Sequence, residues 1–354
     1  MNDGSAFNSL PHGPRTIEAR RLAELARAGG LGDSPESALA EGESALALLS
    51  GDDRNPLLAD VLRWQGSVLR DRGDAVRARP LYERSLEIAT AIDYRAGRAH
   101  ALNCLGTLEQ RRGRLDDATR LYARALAEAE PCGETRLTGM LQQNLGIVAD
   151  IRGNPASALA HYRVSLQIFE RSNDLQYVSW VLNNLGALHV KEGRFDEASS
   201  AFHRALLIAF ERGDLMSQGF IEENRGELRL VQNDSEAAAP SIDRALSIAR
   251  QRNDRVRQAS ALKLRGALQR LLGYPTAAVE TLRHALAVCP AGEDALLEAE
   301  LLYQYGAALS DIGDDDQAKD VWHRSMDAFR QLDARRWVGR LKTRLAEGGT
   351  HRYF

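Results

Sequence analysis

A glycine recurs every forty residues along most of this 354-residue chain, and an alanine follows each of these glycines twelve residues later. The glycines are Gly66, Gly106, Gly146, Gly186, Gly226, Gly266 and Gly306. The alanines are Ala78, Ala118, Ala158, Ala198, Ala238, Ala278 and Ala318. A register that holds from residue 59 to 338 indicates a tandem repeat, which is typical of stacked supersecondary units and not of an enzyme core.

Each repeat contains two segments with helical periodicity, separated by a short polar break. The break holds a residue type that tolerates the left-handed conformation, so we expect the first helix to end there. These residues are Gly73, Gly113, Gly153, Gly193, Asn233, Gly273 and Gly313. In four repeats an aspartate or asparagine comes next and is expected to cap the second helix by accepting a backbone N–H. These are Asp74, Asn154, Asp234 and Asp314.

The forty-residue glycine lies inside the first helix, where it costs about 1 kcal/mol relative to alanine. Seven such costs need a shared cause, and we predict that the glycine lets the second helix approach closely, with the small alanine facing the same crossing. A large residue follows four positions beyond each alanine and is expected to fill the space between repeats. The seven large residues are Tyr82, Tyr122, Tyr162, Phe202, Ile242, Leu282 and Trp322.

This order of Leu-Gly, alanine and aromatic residues resembles the tetratricopeptide repeat. The forty-residue length is similar to the long-helix subclass found in kinesin light chain, the Leu-Gly-Asn family of spindle adaptors and bacterial regulators. The segments LQQNLG at 141–146 and LNNLG at 182–186 carry that likeness. The resemblance implies an all-α fold, namely a right-handed superhelical solenoid of stacked helix-turn-helix units with the first helices on the concave side.

The repeat register predicts how the chain is divided. Seven repeats of forty residues should occupy 59–338, preceded by a degenerate N-terminal capping repeat at 17–58 and a disordered N-terminus at 1–16. A terminal repeat is expected to be atypical because its outer face meets water. The segment 336–347 predicts a C-terminal capping helix, so 339–354 should contain the end of that helix and a frayed tail.

The same register, with the concave side implied by the resemblance, predicts a peptide-binding groove on the first helices. The candidate residues are Asn103, Met140, Gln143, Asn144, Trp180, Asn183, Asn184, Phe220, Glu223, Asn224 and Lys263. An asparagine side chain both donates and accepts, which suits the backbone of an extended peptide. In the resembled subclass, asparagines in the slot of Asn144, Asn184 and Asn224 contact bound peptide.

Simpler interpretations stay open for several of these groove residues. The amides would also be explained by bonds to neighbouring backbone or water, and the aromatic residues by packing against the preceding repeat. Four cations could meet a ligand carboxylate, although a solvated charge is the simpler interpretation of each; they are Arg63, Arg111, Lys191 and Lys263.

Composition and motif content exclude several functional classes. The net charge of −3 provides no basic stripe for nucleic acid, and no apolar run approaches the roughly 18 residues of a membrane span. The N-terminus lacks the features of a secretory signal, so we expect a cytoplasmic protein. The three cysteines and eight histidines match no disulfide or metal pattern, and no phosphate loop or nucleophile elbow occurs. We therefore expect no catalytic residue, metal or cofactor, and no enzyme.

The sequence leaves three hypotheses for function. The first is a scaffold or adaptor that binds a peptide segment of a partner protein in the concave groove. The second is a signalling sensor module that binds a small molecule or short peptide. Only sixteen residues precede the repeats, so we expect the output of such a sensor to act in trans. The third is self-assembly through the convex face or the ends.

Overall fold

The structure is a computed structural model that describes residues 14–30 and 35–346. Within these ranges the chain forms seventeen α-helices and no β-strand. The helices are α1 Pro14–Gly30, α2 Pro35–Leu49, α3 Pro56–Asp71, α4 Ala75–Ala91, α5 Arg95–Arg111, α6 Leu115–Ala129, α7 Thr135–Ile151, α8 Pro155–Arg171, α9 Leu175–Lys191, α10 Phe195–Glu211, α11 Leu215–Val231, α12 Ser235–Gln251, α13 Arg255–Leu271, α14 Pro275–Val288, α15 Ala295–Asp311, α16 Asp315–Gln331 and α17 Arg335–Ala346. The predicted all-α solenoid of paired helices is confirmed.

The described residues fall into two compact units. The first compact unit contains the residues up to Glu109 together with Asp116–Leu141, and the second contains Gln110–Leu115 together with the residues from Gln142 onward. In the second compact unit the first helices of consecutive repeats contact each other, α9 with α11, α11 with α13, and α13 with α15. These first helices therefore form a continuous row.

Left-handed residues end the helices at the predicted breaks. All seven predicted residues, six glycines and Asn233, have positive φ, from 58° at Asn233 to 85° at Gly313. The four predicted caps are also present: the side chains of Asp74, Asn154, Asp234 and Asp314 accept from the backbone N–H three residues later, at 2.9–3.3 Å. The turns inside the repeats thus form as local conformational preference predicts.

The turns between repeats also contain left-handed residues, which the sequence analysis did not predict. Their left-handed residues are Asp93, Gly133, Asn173, Gly213, Asn253, Gly292 and Asp333. Left-handed residues therefore recur about every twenty residues, with a one-residue shift at Gly292. The shift follows Pro290, because the residue before a proline is forced out of the helical region. Cys289 is extended there, with φ −62° and ψ 120°, and α14 ends at Val288.

The glycine of each repeat permits close helix crossing, as predicted. A Cβ on Gly66, Gly106 or Gly146 would lie 2.6 Å from a ring atom of the tyrosine sixteen residues later in the same repeat. At the remaining four glycines, a Cβ would also lie within 3.0 Å of the residue sixteen positions later, which is Phe202, Ile242, Leu282 or Trp322. Real Cβ atoms essentially never come within 3.0 Å, so each glycine makes room for a large side chain from the second helix. All seven repeat alanines are fully buried.

The large residues also join one repeat to the next, as expected. Tyr82 belongs to a buried cluster with Leu105 and Leu108 of the following repeat. Ile242 clusters in the same way with Leu264 of its following repeat. Each of these side chains therefore packs over the glycine of its own repeat and also contacts the next repeat. We call the contact region between two neighbouring repeats a joint.

The two ends of the chain match the predicted helical character where they are described. α1 packs on α2, with Ala38 and Ala45 buried, and α17 buries Leu341 while Trp337 and Leu345 pack against the C-terminal core. The division into a capping repeat, seven repeats and a capping helix remains our proposal. Most of the predicted disordered start and the whole predicted tail, at 1–13 and 347–354, lie outside the described residues.

Candidate functional site

Nine of the eleven candidate groove residues lie in the second compact unit, on α7, α9, α11 and α13. The other two, Asn103 on α5 and Met140 on α7, belong to the first compact unit. Asn103, Gln143 and Asn183, which share one repeat position, are buried at 6–8% exposure. The next position along the helix holds the half-buried Asn144, Asn184 and Asn224. This second row of amides is the one that a ligand could reach.

The amides of neighbouring first helices are connected. Asn224 Nδ2 donates to Asn183 Oδ1 at 3.0 Å, across the joint between α11 and α9. Asn184 Nδ2 is buried and has no hydrogen-bond partner. The buried Asn183 therefore orients the half-buried Asn224 of the next repeat.

The two candidate aromatic residues have different partners. Trp180 Nε1 donates to Ser217 Oγ at 2.6 Å, and its ring lies 4.7 Å from that of Tyr177 in an edge-on arrangement. Phe220 has no polar atom and instead lies beneath the guanidinium of Arg257, 4.4 Å from the ring centroid. Both rings are half-buried, so each packs between repeats and still presents one side outward.

The charged candidates are engaged in ion pairs between first helices. Glu223 accepts from Ser260 Oγ and lies 3.7 Å from Arg257 Nη1. Lys263 is paired with Glu300, and its side chain is only 12% exposed. Lys191 Nζ donates to Asp150 at 2.8 Å. Both lysines therefore bind carboxylates of a neighbouring repeat. Lys263 is largely buried, whereas Lys191 is 39% exposed and stays partly solvated.

These charges perturb one another. Burial alone would lower the pKa of Lys263, but the carboxylates of Glu300, Glu227 and Glu223 more than offset this and raise it. Burial raises the pKa of Glu227, and nearby Lys263 and Lys191 oppose that rise. The first helices of the second compact unit thus carry alternating charges that compensate each other.

A cleft opens where α11, α12 and α13 meet. It encloses about 270 Å³, part of it open to solvent. Its lining residues are Met216, Gly219, Phe220, Glu223, Ala245, Ile248, Ala249, Arg252, Asp254 and Arg257. The predicted groove residues Phe220 and Glu223 therefore border a concave surface with both apolar and charged walls.

Comparison with protein families identifies the repeat. Models of the tetratricopeptide repeat match residues 57–127, 97–171 and 181–216. The chain contains tetratricopeptide repeats. A search of curated proteins found no significant match.

Solved structures share the fold of this tetratricopeptide repeat protein. A Rap protein complexed with competence and sporulation factor aligns with a TM-score of 0.65 at 14% identity, covering 96% of this chain and 100% of that one. The apo form of the quorum sensor NprR from B. thuringiensis aligns with a TM-score of 0.58 at 12% identity, covering 88% of each chain. Yeast Tom70 aligns with a TM-score of 0.53 at 15% identity, covering 98% of this chain and 68% of that one. At these identities the likeness concerns the fold.

The contacts between repeats follow two sequence spacings that could have been found in advance. Trp180–Ser217, Glu223–Ser260 and Lys263–Glu300 are 37 residues apart. Asp150–Lys191, Asn183–Asn224 and Arg270–Asp311 are 41 residues apart. The spacings differ by four residues, one helical turn, so both lie on the same helix face. A search for complementary residues at these spacings would have found Asp150, Arg270, Glu300 and Asp311, which the sequence reading did not propose.

Other chemistry is limited in the part of the chain that the structure describes. No group of three histidine, cysteine or acidic residues there has the geometry to hold a metal ion. Cys104 is buried, Cys132 is exposed, Cys289 is half-buried, and all three are free thiols. None of the described helices combines the length and apolarity that crossing a bilayer requires.

Proposed function

We propose that this tetratricopeptide repeat protein is an interaction scaffold that binds an extended peptide segment of a partner protein. The binding surface consists of the half-buried side chains on α7, α9, α11 and α13 of the second compact unit. The tetratricopeptide fold supports a protein-interaction role in general. The remaining support comes from the chemistry of this surface.

The amide row carries the proposal. Asn144, Asn184 and Asn224 recur at forty-residue intervals on α7, α9 and α11, and all three are half-buried. Neighbouring packed helices lie roughly 8–10 Å apart, so the row spans about 20 Å, the length of about six extended residues. An amide both donates and accepts, so each asparagine can pair with a peptide backbone group. An extended peptide matches the spacing of these three asparagines better than a compact ligand does.

A signalling sensor is the second candidate, because two proteins of the same fold are described as a Rap protein with competence and sporulation factor and as a quorum sensor. In that case a short peptide or small molecule would occupy the same row and regulate an output in trans.

The test is selection of binders from a synthetic library of end-capped octapeptides by the purified protein. The Asn144→Ala, Asn184→Ala, Asn224→Ala triple variant should lose most of the enrichment that the wild-type protein shows. The matched control is Gln167→Ala, His203→Ala, Ser247→Ala, which alters three exposed polar residues on the second helices of the same repeats. The control should enrich the same peptides as the wild type.

Far-UV circular dichroism should show equal helicity for all three proteins. Equal enrichment by the wild type and the amide variant, or no enrichment by the wild type, would contradict the proposal. A sensor for a small molecule would instead show thermal stabilisation by that compound without selecting peptides.

A further inference from the structure

The cleft between α11, α12 and α13 is lined by Gly219, at a position where the two neighbouring repeats have a side chain. Gly219 lies where the preceding repeat has Ser179, which is buried and donates to the carbonyl of Ala205 at 2.9 Å. The following repeat has Ala259 at this position. A Cβ on Gly219 would lie 3.0 Å from Ile248 Cγ2, at the limit of normal contact. The missing Cβ therefore lets Ile248 of α12 pack directly against Gly219.

The aromatic wall of the cleft also differs from its counterpart one repeat earlier. There, Trp180 is tied to Ser217, and the residue forty positions after Ser217 is Arg257. Arg257 lies over the face of Phe220 and pairs with Glu223, which also accepts from Ser260. The ring and the carboxylate are held in place, so the cleft has a preformed apolar wall beside a fixed ion pair.

The charged residues that line this cleft are Glu223, Arg252, Asp254 and Arg257. Arg257 is paired with Glu223. Asp254 is committed to capping α13, where it accepts from the backbone N–H of Arg257 at 2.9 Å. Arg252 is exposed at the mouth of the cleft and has no ion-pair partner among the described residues. Among the charged lining residues, Arg252 is therefore the one that can pair with an acidic group on a ligand.

We infer that this cleft is the specificity pocket of the scaffold, receiving one branched aliphatic or aromatic side chain of the bound peptide while an adjacent acidic residue pairs with Arg252. The inference rests on the proposed peptide-binding function. Met216, Phe220 and Ile248 contact the apolar side chain, and Arg252 selects the charge of its neighbour. Burial of a side chain in a preformed pocket is a common source of interface affinity.

Peptides from the same octapeptide selection test the inference. The wild-type protein should enrich sequences in which an aliphatic or aromatic residue lies within two positions of aspartate or glutamate. Arg252→Glu should remove the acidic preference and weaken binding of an enriched peptide about fivefold, the effect of losing one exposed ion pair. Arg212→Glu is the matched control, because Arg212 is the exposed residue forty positions earlier and the change in net charge is identical. It should leave the selected sequences unchanged.

Gly219→Ala tests the apolar part of the pocket. The added methyl group would press on Ile248, which lines the cleft, and should shift selection toward smaller side chains. Gly339→Ala, where no atom lies within 4 Å of the added group, is the control and should not alter selection.

The outcomes separate this inference from the proposed function. If peptides are enriched and lost in the amide triple variant, but Arg252→Glu and Gly219→Ala select the same sequences as the wild type, the pocket assignment alone is wrong. If the wild-type protein enriches nothing, both proposals fail.

Discussion

The helix crossing inside each repeat is built the same way seven times, whereas the joints between repeats differ along the chain. Inside a repeat, a glycine on the first helix receives a large side chain from the second, beside a fully buried alanine. Between repeats, the contacts of neighbouring first helices differ. The joint between α9 and α11 has the amide pair Asn183–Asn224, and the joint between α13 and α15 has the ion pair Lys263–Glu300.

The crossings inside the repeats therefore form the constant framework, and the joints between repeats form the variable surface. A crossing that admits no Cβ accepts few substitutions, because overpacking forces side chains out of their preferred rotamers. A polar joint accepts any complementary pair that satisfies its hydrogen bonds. We therefore expect stability to depend mainly on the crossings, and ligand choice mainly on the joints. The predictions below test that division, beginning with the largest expected effect.

Removing the large residue of a crossing should have the greatest effect. Phe202 is fully buried and occupies the space above Gly186. Phe202→Ala should lower the free energy of unfolding by about 3–5 kcal/mol, the usual cost of truncating a buried aromatic residue. Urea unfolding followed by circular dichroism measures the change. A loss below about 1 kcal/mol would show that the crossing is not the stabilising unit.

Adding a methyl group to the glycine of the same crossing should also destabilise the protein. Gly186→Ala gains about 1 kcal/mol of helix propensity but incurs the roughly 1–3 kcal/mol cost of overpacking against Phe202. The net loss should be about 1 kcal/mol. Gly339→Ala in α17, where the added group meets no atom, should instead stabilise the protein by up to about 1 kcal/mol. The same sign for both variants in urea unfolding would refute the close-approach explanation.

The crossings were predictable from sequence because they rest on local and strictly periodic requirements. Gly73 and Asn233 mark helix ends by their conformational tolerance, and Asp74 marks a cap by its position. The joints were not predicted, since their pairing depends on how the first helix of one repeat is rotated against that of the next. That rotation determines the spacings of 37 and 41 residues, and nothing within a single repeat shows it.

Part of the candidate site was predictable because it also follows the forty-residue period. The repeat register located Phe220 and Glu223 on the first helix that borders the cleft. It did not indicate Ile248 of α12 or Arg252, the residue that follows α12, because both reach the site only through the packing of three helices. The absence of a side chain at Gly219 was also missed, because that position lies outside the forty-residue glycine series.

A polar contact inside the crossing should have a smaller effect than its packing. Ser325 Oγ is buried and donates to the carbonyl of Ala299 at 2.8 Å. Four other repeats have alanine at this position, namely Ala125, Ala205, Ala245 and Ala285. Ser325→Ala should therefore cost only about 1 kcal/mol, the net value of one hydrogen bond, as measured by urea unfolding. A cost approaching that of Phe202→Ala would contradict the assignment of stability to packing.

Exchanging the charges of a joint should have the smallest net effect. Asp150–Lys191 and Arg270–Asp311 occupy equivalent positions with opposite polarity, so the backbone accommodates either order. Asp150→Lys alone should lower the free energy of unfolding by up to about 1 kcal/mol, because Lys191 is 39% exposed and solvent screens the repulsion. The Asp150→Lys, Lys191→Asp double variant should recover most of that loss in urea unfolding. If the double variant were no more stable than the single one, the joints would require specific residues and not merely complementary ones, and the contrast with the crossings would disappear.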